Sequence, residues 1–140
     1  MMLLALVYAI VIPSIGKTRV QAAVHNSTQT VISTISLSKA AAVRFGRPAV
    51  LHIDAYRDEM WVEVDTTVAG TGAADTLGFF SFAEQLDVNL ESNRATLCFD
   101  GRGIGVTRAV CPDAGAAIIV SLHGKADTVF VSRVGRVVTR

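Results

Sequence analysis

Two cysteines, three histidines, one cluster of acids and one run of hydroxyls are the residues of this 140-residue chain whose types permit chemistry. Their spacing argues against most of it. His25, His52 and His123 lie far apart, and none has the i, i+4 partner of a helical zinc motif, so no metal site is expected from them. Asp54, Asp58, Glu59, Glu63 and Asp65 lack the spacing of a calcium loop, and on alternating strand positions they read as a solvated face. Serines and threonines crowd residues 27–38, yet no Gly-x-Ser-x-Gly elbow exists and nothing sets a histidine beside a hydroxyl. Gly101, Gly103 and Gly105 imitate a phosphate loop, but no Gly-Lys-Ser/Thr follows and they read as turn residues. Cys98 and Cys111 bracket residues 99–110, as a bridge or as two separately buried thiols. No acid, base and nucleophile can be assembled. A non-catalytic protein with no cofactor and no small-molecule substrate is therefore expected.

The elements that would position these residues begin with an apolar run. Met1 to Ile15 carries no charge, and only Tyr8, Pro13 and Ser14 interrupt its aliphatics. The run falls short of the roughly 18 to 20 residues that cross a bilayer, but the chain start truncates it, and it lacks the basic flank and cleavage site of a signal peptide. Residues 1–16 are expected to form the membrane-inserted part of a helix kinked near Pro13. Val20, Val24, Val31, Ile35, Ala42 and Phe45 then recur at helical spacings, giving an amphipathic helix over 17–47 that stops at Gly46 and Pro48. Read as one helix of about 45 residues it would reach roughly 67 Å, too long for a small globule, so part of it must project.

Beyond Ala49 the pattern shortens to β-branched runs. Val50–Ile53, Trp61–Val64, Val88–Leu90, Ala95–Phe99, Ile118–Leu122 and Thr128–Val134 read as strands, with His123-Gly124-Lys125-Ala126-Asp127 short enough to join the last two as a hairpin. The expected fold class is α+β: a long N-terminal helix packed on one antiparallel sheet domain over 48–140. Composition agrees with one domain that partly meets lipid, since hydrophobic residues are 51%, charged residues 18% and mean hydropathy +0.45. The net charge of +1 conceals segregation: residues 1–50 carry +5, residues 51–100 carry −8 and residues 101–140 carry +4. That pattern argues against a uniform polyanion binder and leaves the last forty residues as a local basic candidate.

Arg44-Phe45-Gly46-Arg47-Pro48-Ala49-Val50, Phe99-Asp100-Gly101-Arg102-Gly103 and the closing Val131-Ser132-Arg133-Val134-Gly135-Arg136-Val137 give the order of elements a more specific cast. Together with the helix they resemble the GspH/FimT-type minor pseudopilins of the type IV pilin superfamily. The resemblance implies a structural subunit of a type II secretion pseudopilus or a type IV pilus. Its helix would pack with other pilin or pseudopilin subunits, through hydroxyls such as Ser27 to Ser38, and would hold the chain in the bacterial inner membrane as a single pass. The C-terminal domain would face the periplasm. The family's basic leader, prepilin cleavage glycine, methylated start and Phe-Thr-Leu-Ile-Glu segment are not in this sequence and are expected upstream of Met1. A periplasmic location favours a Cys98–Cys111 disulfide. The FimT branch further implies DNA capture for natural transformation, carried here by Arg133, Arg136 and Arg140 with Arg102, Arg108 and Lys125 as auxiliaries. The branch's Gly-Arg-x-Arg is matched loosely, by Gly135-Arg136 with the second arginine displaced to Arg140.

Overall fold

Helix α1 runs from Met2 to Phe45, and the sequence rule that ends it operates as expected. Gly46 takes φ 62°, its N–H bonds Val43 O at 3.3 Å and the Arg47 N–H bonds Ala42 O at 3.1 Å, a Schellman stop made possible by glycine and sealed by Pro48. The computed structural model of the chain describes residues 16–67 and 72–140 in full, and residues 2–15 by their helical assignment alone. Among the described residues no helix is long and apolar enough to cross a membrane. The membrane-inserted segment and the kink expected at Pro13 lie outside the described residues.

The buried side of α1 is narrow and regular. Val24, Val31 and Ser38 form one row, flanked by Ser27, Thr34 and Ala41 on one side and Thr28, Ile35 and Ala42 on the other. Val20 and Phe45, at the ends of the predicted stripe, are only half-buried. Small and hydroxyl-bearing residues suit this seam because the sheets approach closely. Ser27 Oγ donates to Ala23 O at 2.8 Å and Thr34 Oγ1 to Thr30 O at 2.8 Å, so their polar atoms cost little when buried. The hydroxyls expected to meet neighbouring subunits are thus corrected in part: Ser27, Thr28, Thr34 and Ser38 are buried under the chain's own sheets, whereas Ser33 and Ser36 face outward.

The sheet domain is two antiparallel sheets, not the single one expected. Strands β1 (Ala49–Asp54), β2 (Glu59–Val64), β3 (Asp75–Ser81), β5 (Thr96–Phe99) and β6 (Gly105–Val106) form the first, in the order β3-β2-β1-β5-β6. Strands β4 (Asn89–Ser92), β7 (Ala116–Leu122), β8 (Lys125–Val131) and β9 (Val137–Thr139) form the second, in the order β4-β7-β8-β9. A one-turn helix α2 (Phe82–Leu86) connects β3 to β4. The split occurs at residues 93–95, where the Asn93 N–H bonds Ala117 O of the second sheet and Ala95 O accepts from Ile53 N of the first. Alternate residues of β1, β2 and β7 are buried, including Leu51, Val62 and Ile118, each fully enclosed, and the helix seam closes the core from both sheets.

The hairpin sits between β7 and β8, with the turn reduced to His123 and Gly124 at φ 47° and 78°. Its strands are not the final two. Thr128–Val134 was expected to run straight, but β8 stops at Val131, and the Ser132 N–H bonds Arg136 O at 2.8 Å to reverse the chain into β9.

Candidate assembly surface and basic edge

The exit of α1 from its own domain is the first functional feature. Gly16, Lys17, Thr18 and Arg19 are all exposed, and four successive residues cover every side of one turn. The helix therefore passes the tip of the β7–β8 hairpin here, with Val20 half-buried and Val24 its first fully buried residue, and continues back to Met2. Along the part that lies on the sheets, Leu37 and Val43 stand on the two flanks of the buried seam, beside Gly78 and Gly103, and remain 40% and 54% exposed.

The C-terminal arginines occupy a rigid reversal. Lys39 Nζ reaches from α1 to donate to Gly135 O at 2.8 Å, and Ser132 Oγ accepts from the Arg136 N–H at 3.0 Å. A Cβ on Gly105 would stand 2.6 Å from Arg133 O, so β6 passes directly beneath the turn and admits no side chain there. Arg133, Arg136 and Arg140 are all exposed. Because the chain reverses, Arg136, Val138 and Arg140 alternate onto the outer face of β9, which brings two of the three arginines together. Arg133 stays in the turn, near Asp113, whose carboxyl is lowered first by the Gly115 N–H and least by the Arg133 charge. The auxiliaries Arg102 and Arg108 likewise lie near Asp100, whose carboxyl is lowered first by the Ile104 N–H and then by that of Arg102. Lys125 is exposed beside the β7–β8 turn.

Cys98 and Cys111 are bridged, with Cα atoms 5.8 Å apart and both side chains buried. Cys98 belongs to β5 and its cross-strand neighbour is Val50, so the bridge pins the following loop over the outer face of the first sheet. Arg94 NH2 to Asp113 Oδ2 at 2.6 Å fastens the same loop at its other end.

The acid cluster is corrected from a free solvated face to a set of internal fasteners. Asp54 Oδ1 accepts from the N–H groups of Tyr56 and Arg57, Asp58 Oδ1 accepts from Leu90 N at 2.6 Å, and Asp65 pairs with Arg47 at 3.1 Å. Glu63 receives the Trp61 indole N–H at 3.1 Å and lies 3.1 Å from His52 Nε2, with the two rings stacked at 4.9 Å. Neither the acids nor the histidines assemble: among the described residues no group of three His, Cys, Asp or Glu could hold a metal ion. Sequence reasoning missed the roles of Lys39 and Gly105 in seating the basic turn, since nothing in their local sequence indicates a contact with residues 133–135.

No family model matches the chain, and neither does any curated protein in sequence. In structure it is similar to the type IV minor pilin FimU of Pseudomonas aeruginosa, with 15% identity, 89% of this chain and 90% of that one covered, and a TM-score of 0.60. A second crystal form of that protein gives 14% identity, coverage of 86% and 91%, and a TM-score of 0.53. The minor pseudopilin EpsH from the type 2 secretion system of Vibrio cholerae is similar at 11% identity, with coverage of 84% and 95% and a TM-score of 0.61. Such identities speak to the fold, over nearly the full length of both chains. A long N-terminal helix laid on antiparallel sheet, as in the minor pilins and minor pseudopilins, is the fold of this protein.

Proposed function

We propose that the chain is a structural, non-catalytic subunit of a type IV pilus or type II secretion pseudopilus, held in the bacterial inner membrane by the start of α1 with its sheets in the periplasm. The observation that carries this reading is the helix that outruns its own domain, exposed on every side from Gly16 to Arg19 and continuing to Met2. The uncharged, aliphatic run that precedes this turn in the sequence calls for an apolar environment, and a bilayer followed by a bundle of like helices supplies one. The pilin fold shared with FimU and EpsH supports the same conclusion. The test is photo-crosslinking in cells from the partly exposed positions Leu37 and Val43 on the flanks of α1, with Tyr56, 96% exposed on the β1–β2 turn, as control. Crosslinks to another pilin-like subunit from the helix positions are expected. Their absence in cells that assemble filaments, together with unchanged secretion and piliation when the gene is deleted, would overturn the proposal.

A second reading, DNA capture by the basic edge, is favoured by one specific observation: Arg136 and Arg140 emerge on one face of β9 and neither pairs with an acid among the described residues.

A further inference from the structure

The outer face of the second sheet, turned away from α1, carries charge and apolar surface in a self-complementary order. Its strand register defines the rows across it. One row runs Glu91, Ile119, Thr128, Arg140, because Glu91 pairs with Ile119, Ile119 with Thr128, and Thr128 exchanges backbone hydrogen bonds of 3.2 and 3.0 Å with Arg140. The next runs Ala117, Phe130, Val138. Leu90, Ile118 and Val129 point to the core, so these alternating neighbours point to solvent, and Phe130 and Val138 are 41% and 51% exposed there. The face is thus acidic at the β4 edge, apolar in the middle and basic at the β9 edge. Among the described residues neither Glu91 nor Arg140 has an ion pair within the chain.

We propose that this face is a docking surface for a second copy of the same chain, in an isologous pair whose two-fold axis runs along the strands between β7 and β8. Rotation about that axis lays β4 of one copy over β9 of the other while leaving each row opposite itself. Glu91 then meets Arg140 of the partner twice, and the bulky Phe130 of each copy falls on the small Ala117 of the other. An axis running across the strands would instead set Glu91 against Glu91 and Arg140 against Arg140, so the charges select one orientation and reject the other. Four strands about 4.8 Å apart span only about 14 Å, which limits the interface to a few hundred Å² per copy, well under the roughly 800 Å² per partner of a stable complex. The pair is therefore weak and forms only at high concentration of the chain. It uses the face opposite the helix and does not rest on the filament reading.

The experiment is sedimentation of the full chain in non-ionic detergent over a concentration series. Wild type is expected to show a dimer fraction that grows with concentration and shrinks with added salt. Glu91→Lys or Arg140→Glu alone should weaken association about tenfold, and the two together should restore it to within about threefold of wild type. Phe130→Ser should abolish it. All are surface changes, checked by an unaltered circular dichroism spectrum and melting midpoint; if either reversal perturbs folding, Glu91→Gln and Arg140→Gln replace them, each expected to weaken association. A monomer at every concentration, association indifferent to either single change, or failure of the double reversal to recover would each overturn the pairing. None of these results bears on crosslinks from Leu37 and Val43, which read filament assembly separately.

Discussion

Cys98 and Cys111 are joined by a bridge that holds the loop between β6 and β7 on the first sheet, where the Arg94–Asp113 pair and the Thr96 hydroxyl on Val110 O also grip it. Closing a loop of this size removes unfolded-state entropy worth on the order of 3 kcal/mol. Replacing both cysteines by alanine is expected to lower stability by about that much and the melting midpoint by about 10 °C. A loss under about 1 kcal/mol would show the loop to be held by its other contacts. The carboxylates make a separate prediction. Asp100 is lowered by the N–H groups of Ile104 and Arg102, Asp65 first by the Thr67 hydroxyl, and Asp113 first by the Gly115 N–H. A carboxyl lowered in the folded state contributes stability above its unfolded value near 3.9, and that contribution disappears as pH falls through the folded value. Stability should accordingly decline in acid below about pH 4, and Asp100→Asn should flatten the decline in chemical denaturation measured from pH 5 to 2. A slope unchanged by the substitution would remove Asp100 from the account. The cysteine pair and the arginines could be read as candidates from the sequence, whereas the acids could not be resolved, because their partners Leu90, Arg47 and His52 are brought to them only by folding.

At the scale of elements, the long helix and its stop were legible because periodicity and the Gly46–Pro48 signal are local properties of the chain. Strands β1, β2, β5 and β7 were legible for the same reason, each being a short β-branched run. The division into two sheets was not, since it depends on which distant strands pair. Strand β3 escaped notice because Gly78, at φ 63°, and a register shift between Met60 and Val62 in its partner β2 break the alternation that marks a strand. The irregularity has a cause in packing: a Cβ on Gly78 would stand 2.3 Å from Leu37 Cδ2, so this part of β3 runs hard against α1. Gly78→Ala should cost about 1–2 kcal/mol from the left-handed backbone, and more if Leu37 fails to move aside. Equilibrium unfolding in urea measures it. A variant as stable as wild type would show that β3 relaxes away from the helix without penalty.

The whole molecule is polarised, and the polarity decides how DNA would meet it. Residues 51–100 carry −8, but much of that charge is spent on turns and internal pairs, while three of the six basic residues behind the +4 of residues 101–140 sit at the C-terminal reversal and beside β9. Three arginines in a row would release counterions from three phosphates and give a slope near −3 for log affinity against log salt, at about 0.9 per contact. The fold discounts one of them. Arg133 sits in the turn ahead of β9, whereas Arg136 and Arg140 share its outer face, and none of the three has an ion pair among the described residues. Duplex binding by the full chain should then be sequence-independent, with a slope nearer −2, and weak at physiological salt. Gel-shift titrations at several salt concentrations read this directly. Arg136→Ala and Arg140→Ala should each reduce the slope by about one, and Arg133→Ala should leave it nearly unchanged. Equal slopes for wild type and all three variants, or no shift by wild type at low salt, would remove the DNA reading. The basic edge would then be left to protein partners, with filament assembly through the helix untouched, because no residue of α1 enters the comparison.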